Sequence, residues 1–157
     1  MNYFIRVWTE RDIDDIAALM CSHALWQHYG VTLASATGRL IDLFAANEKG
    51  LVAENEAHQI MGFIVYNAST FGNSGYIRLF GIQPDVTSRG LGQELLSAVE
   101  CELREHHVNR LTLLCTAWNY KARRFYERRG FDKVGDLPGW IQDGTTEVLY
   151  AKHLDRG

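Results

Sequence analysis

The stretch TSRGLGQELL (residues 87–96) places Gly90 and Gly92 two residues apart, just ahead of a run with helical spacing. Glycine weakens a helix, so two of them at a helix start ask for a reason. Strand, short turn, then helix is the arrangement that points main-chain N–H groups at an anion. Without side chains at positions 90 and 92, a phosphate or pyrophosphate has room to reach those groups. The plainer alternative is one glycine shaping the turn and the other packing the helix. Two familiar phosphate loops do not fit. A P-loop requires G-x-x-x-x-G-K-[ST], and neither glycine is followed by Lys-Ser or Lys-Thr. The dinucleotide fingerprint requires Gly or Ala at position 95, where Leu95 stands.

Three further features could take part in chemistry. Gly81 interrupts the apolar run LFGI, three residues before Pro84. A glycine there marks a bulge or close backbone approach beside a ligand, or relieves crowding against a helix. In CTAWNYKARRFYERRGF (residues 115–131), Asn119 stands at a strand-to-helix junction. Tyr126 lies seven residues on, two helical turns along the same face. Alone, Asn119 reads as an N-cap and Tyr126 as a core tyrosine. His23 and His28, in HALWQHYG, carry imidazoles able to exchange protons near neutrality. They are candidate bases or packing residues, and a chain of waters is an equal alternative.

The elements that must position these groups follow from periodicity. YFIRVWT (residues 3–9) alternates and is rich in β-branched and aromatic residues, a first strand. Thr9 and Asp12 offer N-caps for a helix with Ile13, Ile16, Ala17 and Met20 on one face. A second helix spans about residues 35–47. GLVAE and QIMGFIVYN read as strands joined by the turn NEAH. After the loop STFGNSG, YIRLFGIQP (residues 76–84) reads as a strand buried on both faces and closed by Pro84. A helix over about residues 88–106, a strand over 110–116, and a short helix over 119–129 stopped by Gly130 come next. FDKVGD and TTEVLYAKHL close the chain as strands around LPGWIQDG. The order predicts a mixed α/β sheet with a central βαβ unit.

At 157 residues the chain suits one domain over residues 1–157, with a core that needs no staples. Its 46% hydrophobic and 22% charged content is that of a globular protein, and a net charge of −3 argues against a dedicated nucleic-acid binder. Cys21, Cys101 and Cys115 have no metal-ligand spacing, and an odd, sparse count favours free thiols in a reducing compartment. No metal is expected. MNYFIRVWTERDIDD lacks the pattern of a signal peptide, and no run approaches the roughly 20 apolar residues of a membrane span. A cytoplasmic protein with no membrane partner is the expectation.

Taken together, I-x-P-D-x-x-x-R-G-L-G (residues 82–92) and N-x-x-A-x-x-F-Y-x-x-x-G-F (residues 119–131) resemble the GNAT N-acetyltransferase superfamily. The element order is similar along the whole chain. The resemblance implies a predominantly antiparallel sheet of about six to seven strands with flanking helices, its central βαβ unit binding acetyl-CoA. On this pattern the pantetheine arm lies along the strand ending at Ile82, splayed from the next strand near Cys115 and Thr116. The Ile82 N–H faces the thioester carbonyl. The N–H groups of Ser88, Arg89, Gly90, Leu91, Gly92 and Gln93 cradle the pyrophosphate. Asn119 contacts the pantetheine or its water, and Tyr126 sits near the sulfur. Family members usually carry Arg or Gln where this chain has Thr87. A neutral hydrogen bond there, about 0.5–1.5 kcal/mol against about 1.5–3 for one to a charged group, would weaken cofactor binding by about tenfold. Arg89, Lys121, Arg123 and Arg124 could compensate, or be a solvated face.

The implied chemistry is direct attack of an amine on the thioester. Ile82 N–H stabilises the oxyanion and Tyr126 protonates the leaving thiolate. Tyr76, Arg78, Phe80 and Ile82 share a strand face that holds no carboxylate, so it supplies no base. Trp26, Tyr29 and Trp140 wall the acceptor side or pack the core. A small-molecule primary amine is the first choice of acceptor, and a peptide N-terminus or lysine the second. A domain that binds acyl-CoA without turnover is a third reading. A homodimer is compatible with the sequence.

Overall fold

The computed structural model describes residues 2–86 and 90–154. Twelve elements follow one another: β1 (Tyr3–Val7), α1 (Ile13–Cys21), α2 (Ala24–His28), α3 (Leu33–Ala45), β2 (Lys49–Asn55), β3 (Ile60–Asn67), β4 (Ser74–Ile82), α4 (Leu91–Glu105), β5 (Arg110–Thr116), α5 (Tyr120–Arg128), β6 (Asp132–Pro138) and β7 (Thr146–His153). The strands run in the order β1-β2-β3-β4-β5-β7-β6, a seven-stranded mixed sheet as the element order predicts. Among the described residues no helix is long and apolar enough to cross a membrane. The chain forms two compact units, Met1–Asn67 with Arg78–Val99 and Ala68–Ile77 with Glu100–Gly157.

In the first unit β1, β2 and β3 form an antiparallel meander. Its core gathers Ile13, Ile16, Ala17 and Met20 of α1 with Leu40, Val52, Phe63, Val65 and Leu79. The four α1 positions are those picked out by helical spacing. A polar hub fixes the entry to α1. Arg6 donates to both oxygens of Asp12, at 2.9 and 2.8 Å, and to Glu54 at 2.7 Å, while the Thr9 N–H donates to Asp12 at 2.7 Å. Burial pushes the Asp12 carboxyl up, but the Arg6 and Thr9 hydrogen bonds outweigh it and hold the group below its usual 3.8.

Two expectations about this unit need correcting. α2 was not anticipated: five residues are too few for periodicity to register, and so short a helix forms only by tertiary packing. The strand ending at Ile82 begins at Ser74 and is not buried on both faces: Leu79 and Gly81 are buried, Arg78 is exposed, and Tyr76, Phe80 and Ile82 are half-buried. An apolar run alone does not distinguish one covered face from two.

In the second unit β5 pairs in parallel with the first half of β4, Ser74–Ile77 against Arg110–Leu113. It pairs antiparallel with β7, which carries β6 on its other side. α5 ends as its sequence predicts. Gly130 has φ +90°, its N–H donates to Glu127 O, and the Phe131 N–H donates to Tyr126 O. This is the Schellman closure that a C′ glycine permits. Lys152 of β7 donates to both carboxylate oxygens of buried Glu100 at 3.0 Å, packs along Gly130, and sits 5.7 Å from the Phe131 ring centre.

Candidate active site

The site residues in the first unit gather at the end of β4. A Cβ at Gly81 would lie 2.8 Å from Trp26 Cη2 and 2.9 Å from Phe63 Cε1. Gly81 is therefore required by the indole of α2, which is the crowding reading of its sequence position. Trp26 itself is core, as the packing alternative had it. Beyond Gly81, the Gln83 N–H donates to Met61 O of β3 at 2.8 Å, and the Gln83 side chain reaches Ile60 O at 3.3 Å. The carbonyl of Ile82 takes a different partner, His23 Nε2 at 2.5 Å. His28 packs edge-on against Tyr29 instead.

Pro84–Val86 form a 3-10 turn after β4. Thr87, Ser88 and Arg89 lie outside the described residues. Gly90 follows with φ +79°, a conformation in which a side chain is strained, and among the described residues nothing lies within 4 Å of where its Cβ would be. The helix proper starts at Leu91 and runs 15 residues. Leu91 and Gly92 are buried and Gln93 is exposed. The first-turn amides of such a helix have no acceptor within it and carry the positive end of its dipole. A left-handed glycine with no described residue in front of it, followed by those amides, fits a diphosphate.

In the second unit, α5 and β5 bring Cys115 close enough to perturb Tyr126. Burial drives the Cys115 thiol up to about 12, aided by the charge of Glu147 and opposed by that of Arg123. It stays a thiol at neutral pH and is no nucleophile. The Tyr126 residue is half-buried, but its hydroxyl end is desolvated, which with Cys115 raises its pKa well above 10. Its ring packs among Phe125, Phe131 and Tyr150. Asn119 caps α5, its Oδ1 accepting from the Ala122 N–H at 3.4 Å.

Arg123 is committed within this unit, donating to Ala117 O and to the Tyr150 hydroxyl, both at 3.0 Å. The Tyr150 hydroxyl in turn donates to Glu127 at 2.8 Å. Compensation for Thr87 by Arg123 is therefore not the role its surroundings give it. Sequence reading also passed over Glu147, a buried carboxylate that accepts from the Thr116 hydroxyl at 3.3 Å. Its signal was a charge within an otherwise apolar strand, TEVLY. Trp140 is exposed.

A model of the acetyltransferase (GNAT) family matches residues 9–131. The chain belongs to the GNAT acetyltransferase family. It is 27% identical over 152 residues to mycothiol acetyltransferase of Propionibacterium freudenreichii, covering 93% of this chain and 46% of that protein. It is 30% identical over 129 residues to N-alpha-acetyltransferase 60 of Xenopus tropicalis, covering 74% and 51%. The chain thus spans about half the length of these two curated relatives. The crystal structure of Ard1 from Thermoplasma volcanium superposes with a TM-score of 0.82 at 23% identity, covering 98% of this chain and 99% of that one. That likeness establishes the GNAT fold.

Proposed function

We propose that this GNAT protein moves an acetyl group from acetyl-CoA to the primary amine of a small molecule by direct attack on the thioester. The observation that carries the reading is Gly90, left-handed and with no described residue in front of it, at the start of a 15-residue helix within a GNAT-family match. Acetyl-CoA supplies the activated acetyl group and a thiolate leaving group. Ser88, Arg89, Gly90, Leu91, Gly92 and Gln93 would hold its diphosphate through main-chain N–H groups, with the Thr87 hydroxyl as a further donor. Asn119 would add a polar contact to the pantetheine.

Ile82 N–H would donate to the carbonyl oxygen as charge develops there, an interaction that strengthens in the transition state. Tyr126 keeps its proton at neutral pH, so it acts as a hydrogen-bond donor to the departing sulfur. Holding its proton, it would relay one to the sulfur. The neutral Cys115 thiol favours direct attack over an acetyl-cysteine intermediate. No metal is used.

A second reading, acetylation of a peptide N-terminus or lysine, is favoured by the 30% identity to a protein named N-alpha-acetyltransferase 60. Thiol release from acetyl-CoA, measured with a panel of small amines and of peptides with free α-amino or lysine groups, tests both. Release with small amines is expected. Release with peptides alone reverses the order of acceptors, and calorimetric binding of acetyl-CoA without release assigns a sensor domain.

A further inference from the structure

The trans peptide between Ile82 and Gln83 points its N–H and its C=O in opposite directions. The N–H goes to Met61 of β3, so the Ile82 carbonyl faces the opposite edge of β4. In an extended residue the N–H and C=O project to the same edge, which directs the Ile82 N–H there as well. His23 closes on that edge, its Nε2 2.5 Å from Ile82 O. A carbonyl only accepts, so Nε2 carries the proton and a neutral ring keeps its lone pair on Nδ1. The ring is held from the side too: Trp26 meets it edge-on, centroids 5.4 Å apart, and Trp26 is seated against Gly81.

We propose that His23 is the general base of the transfer, fixed by the Ile82 carbonyl in the tautomer whose free nitrogen accepts the proton of the attacking amine. This assignment presupposes the acetyl transfer proposed above and adds to it the base and a class of acceptor. An imidazole anchored through one nitrogen and basic at the other is the arrangement that serves a nucleophile in hydrolytic triads, with a main-chain carbonyl here in place of a carboxylate. It lies on the edge to which the residue binding the thioester oxygen presents its N–H.

The protons balance as follows. Nδ1 takes one proton from the acceptor ammonium, and the freed lone pair forms the C–N bond while the carbonyl π pair moves to oxygen. Collapse breaks the C–S bond, and the sulfur receives a proton still carried by nitrogen. The one proton released in all leaves through His23 to solvent. An α-amino group, reference pKa about 7.7–8.0, gives up its proton near neutrality far more readily than an alkyl amine near 10.4. The acceptor class His23 serves is therefore an α-amine or another amine of similar weakness.

Nitrogen-15 NMR of the imidazole, together with His23→Gln and His23→Ala, tests this. Glutamine can still donate to Ile82 O but cannot accept the proton. The neutral His23 ring is expected to show Nε2–H. His23→Gln is expected to lower kcat at least about 100-fold with acetyl-CoA affinity unchanged by calorimetry, and added imidazole to restore part of the loss in His23→Ala. A glutamine variant within threefold of wild type, or an Nδ1–H tautomer, overturns the proposal and leaves His23 a carbonyl anchor. Loss of acetyl-CoA binding in both variants does the same. Absence of acetyl-CoA binding by the wild-type protein would refute the acetyl-transfer reading instead, and the tautomer would still decide the geometry of His23.

Discussion

The indole of Trp26 stands where the side chain of residue 81 would be, 2.8 Å from a Cβ built on Gly81. Neither the indole, enclosed in the core, nor Phe63 on the other side is a flexible chain end that can swing away. Gly81→Ala is therefore expected to destabilise the fold by about 1–3 kcal/mol, the usual cost of overpacking. Because the same displacement moves α2 away from β4, activity should fall with stability. Urea denaturation beside the thiol-release assay checks both, and an unchanged midpoint would contradict the packing seen.

Gly90 poses a different problem, since among the described residues nothing crowds it and its φ of +79° is what resists a side chain. Gly90→Ala should cost about 1–2 kcal/mol of stability from the left-handed backbone. If the turn also presents amides to a diphosphate, acetyl-CoA affinity should drop as well. Calorimetry separates the two, because a glycine that merely shapes the turn would lose stability and leave affinity intact.

Tyr126→Phe removes one hydroxyl and little volume. A hydrogen bond to a charged partner is worth about 1.5–3 kcal/mol, so kcat should fall about 10- to 150-fold while acetyl-CoA binds as before. Steady-state kinetics with calorimetry gives the answer. Turnover at the wild-type rate would remove the tyrosine from the chemistry.

The raised Cys115 thiol bears on the kinetic scheme. Incubation with acetyl-CoA in the absence of an acceptor should leave the protein mass unchanged, and initial-rate patterns should intersect. A mass increase by one acetyl group on the Cys115 peptide would replace direct attack with a two-step transfer.

Acid should weaken the first unit through Asp12. Its folded-state pKa lies below its usual value, so between the two the unfolded chain binds more protons and stability rises with pH. The contribution is fully present above the ordinary carboxylate range and disappears as pH falls through the lowered pKa. Urea midpoints measured from neutral pH downward should show this decline, with a shallower one in Asp12→Asn. Equal slopes would mean that the Arg6 hub does not carry the acid sensitivity.

Much of the frame was legible in residue order because it depends on local rules. Spacing of Ile13, Ile16, Ala17 and Met20 specifies a helix face, and Gly130 at C′ specifies where α5 stops, whatever surrounds them. What stayed hidden depends on contacts distant in sequence. α2 exists because Trp26 finds Gly81 and Phe63, 55 and 37 positions away. His23 reads as one of two similar histidines until a carbonyl 59 residues on accepts its proton. Arg123 looks like a free cation until Tyr150 and Ala117 take its donors. Glu147 looks like one polar residue of a strand until its burial beside Thr116 is seen. The motif residues were visible for the opposite reason: a turn glycine, a cap and a tyrosine two turns later are spaced by the backbone alone.

The clasp between Lys152 and Glu100 has a bearing on the protein's own exposure to an acyl donor. An amine becomes acylated only after it gives up its proton and its partner, and Lys152 is engaged by two oxygens of a buried carboxylate. Beside an acetyl donor of the kind proposed above, the lysine that joins β7 to α4 would thereby be spared self-modification.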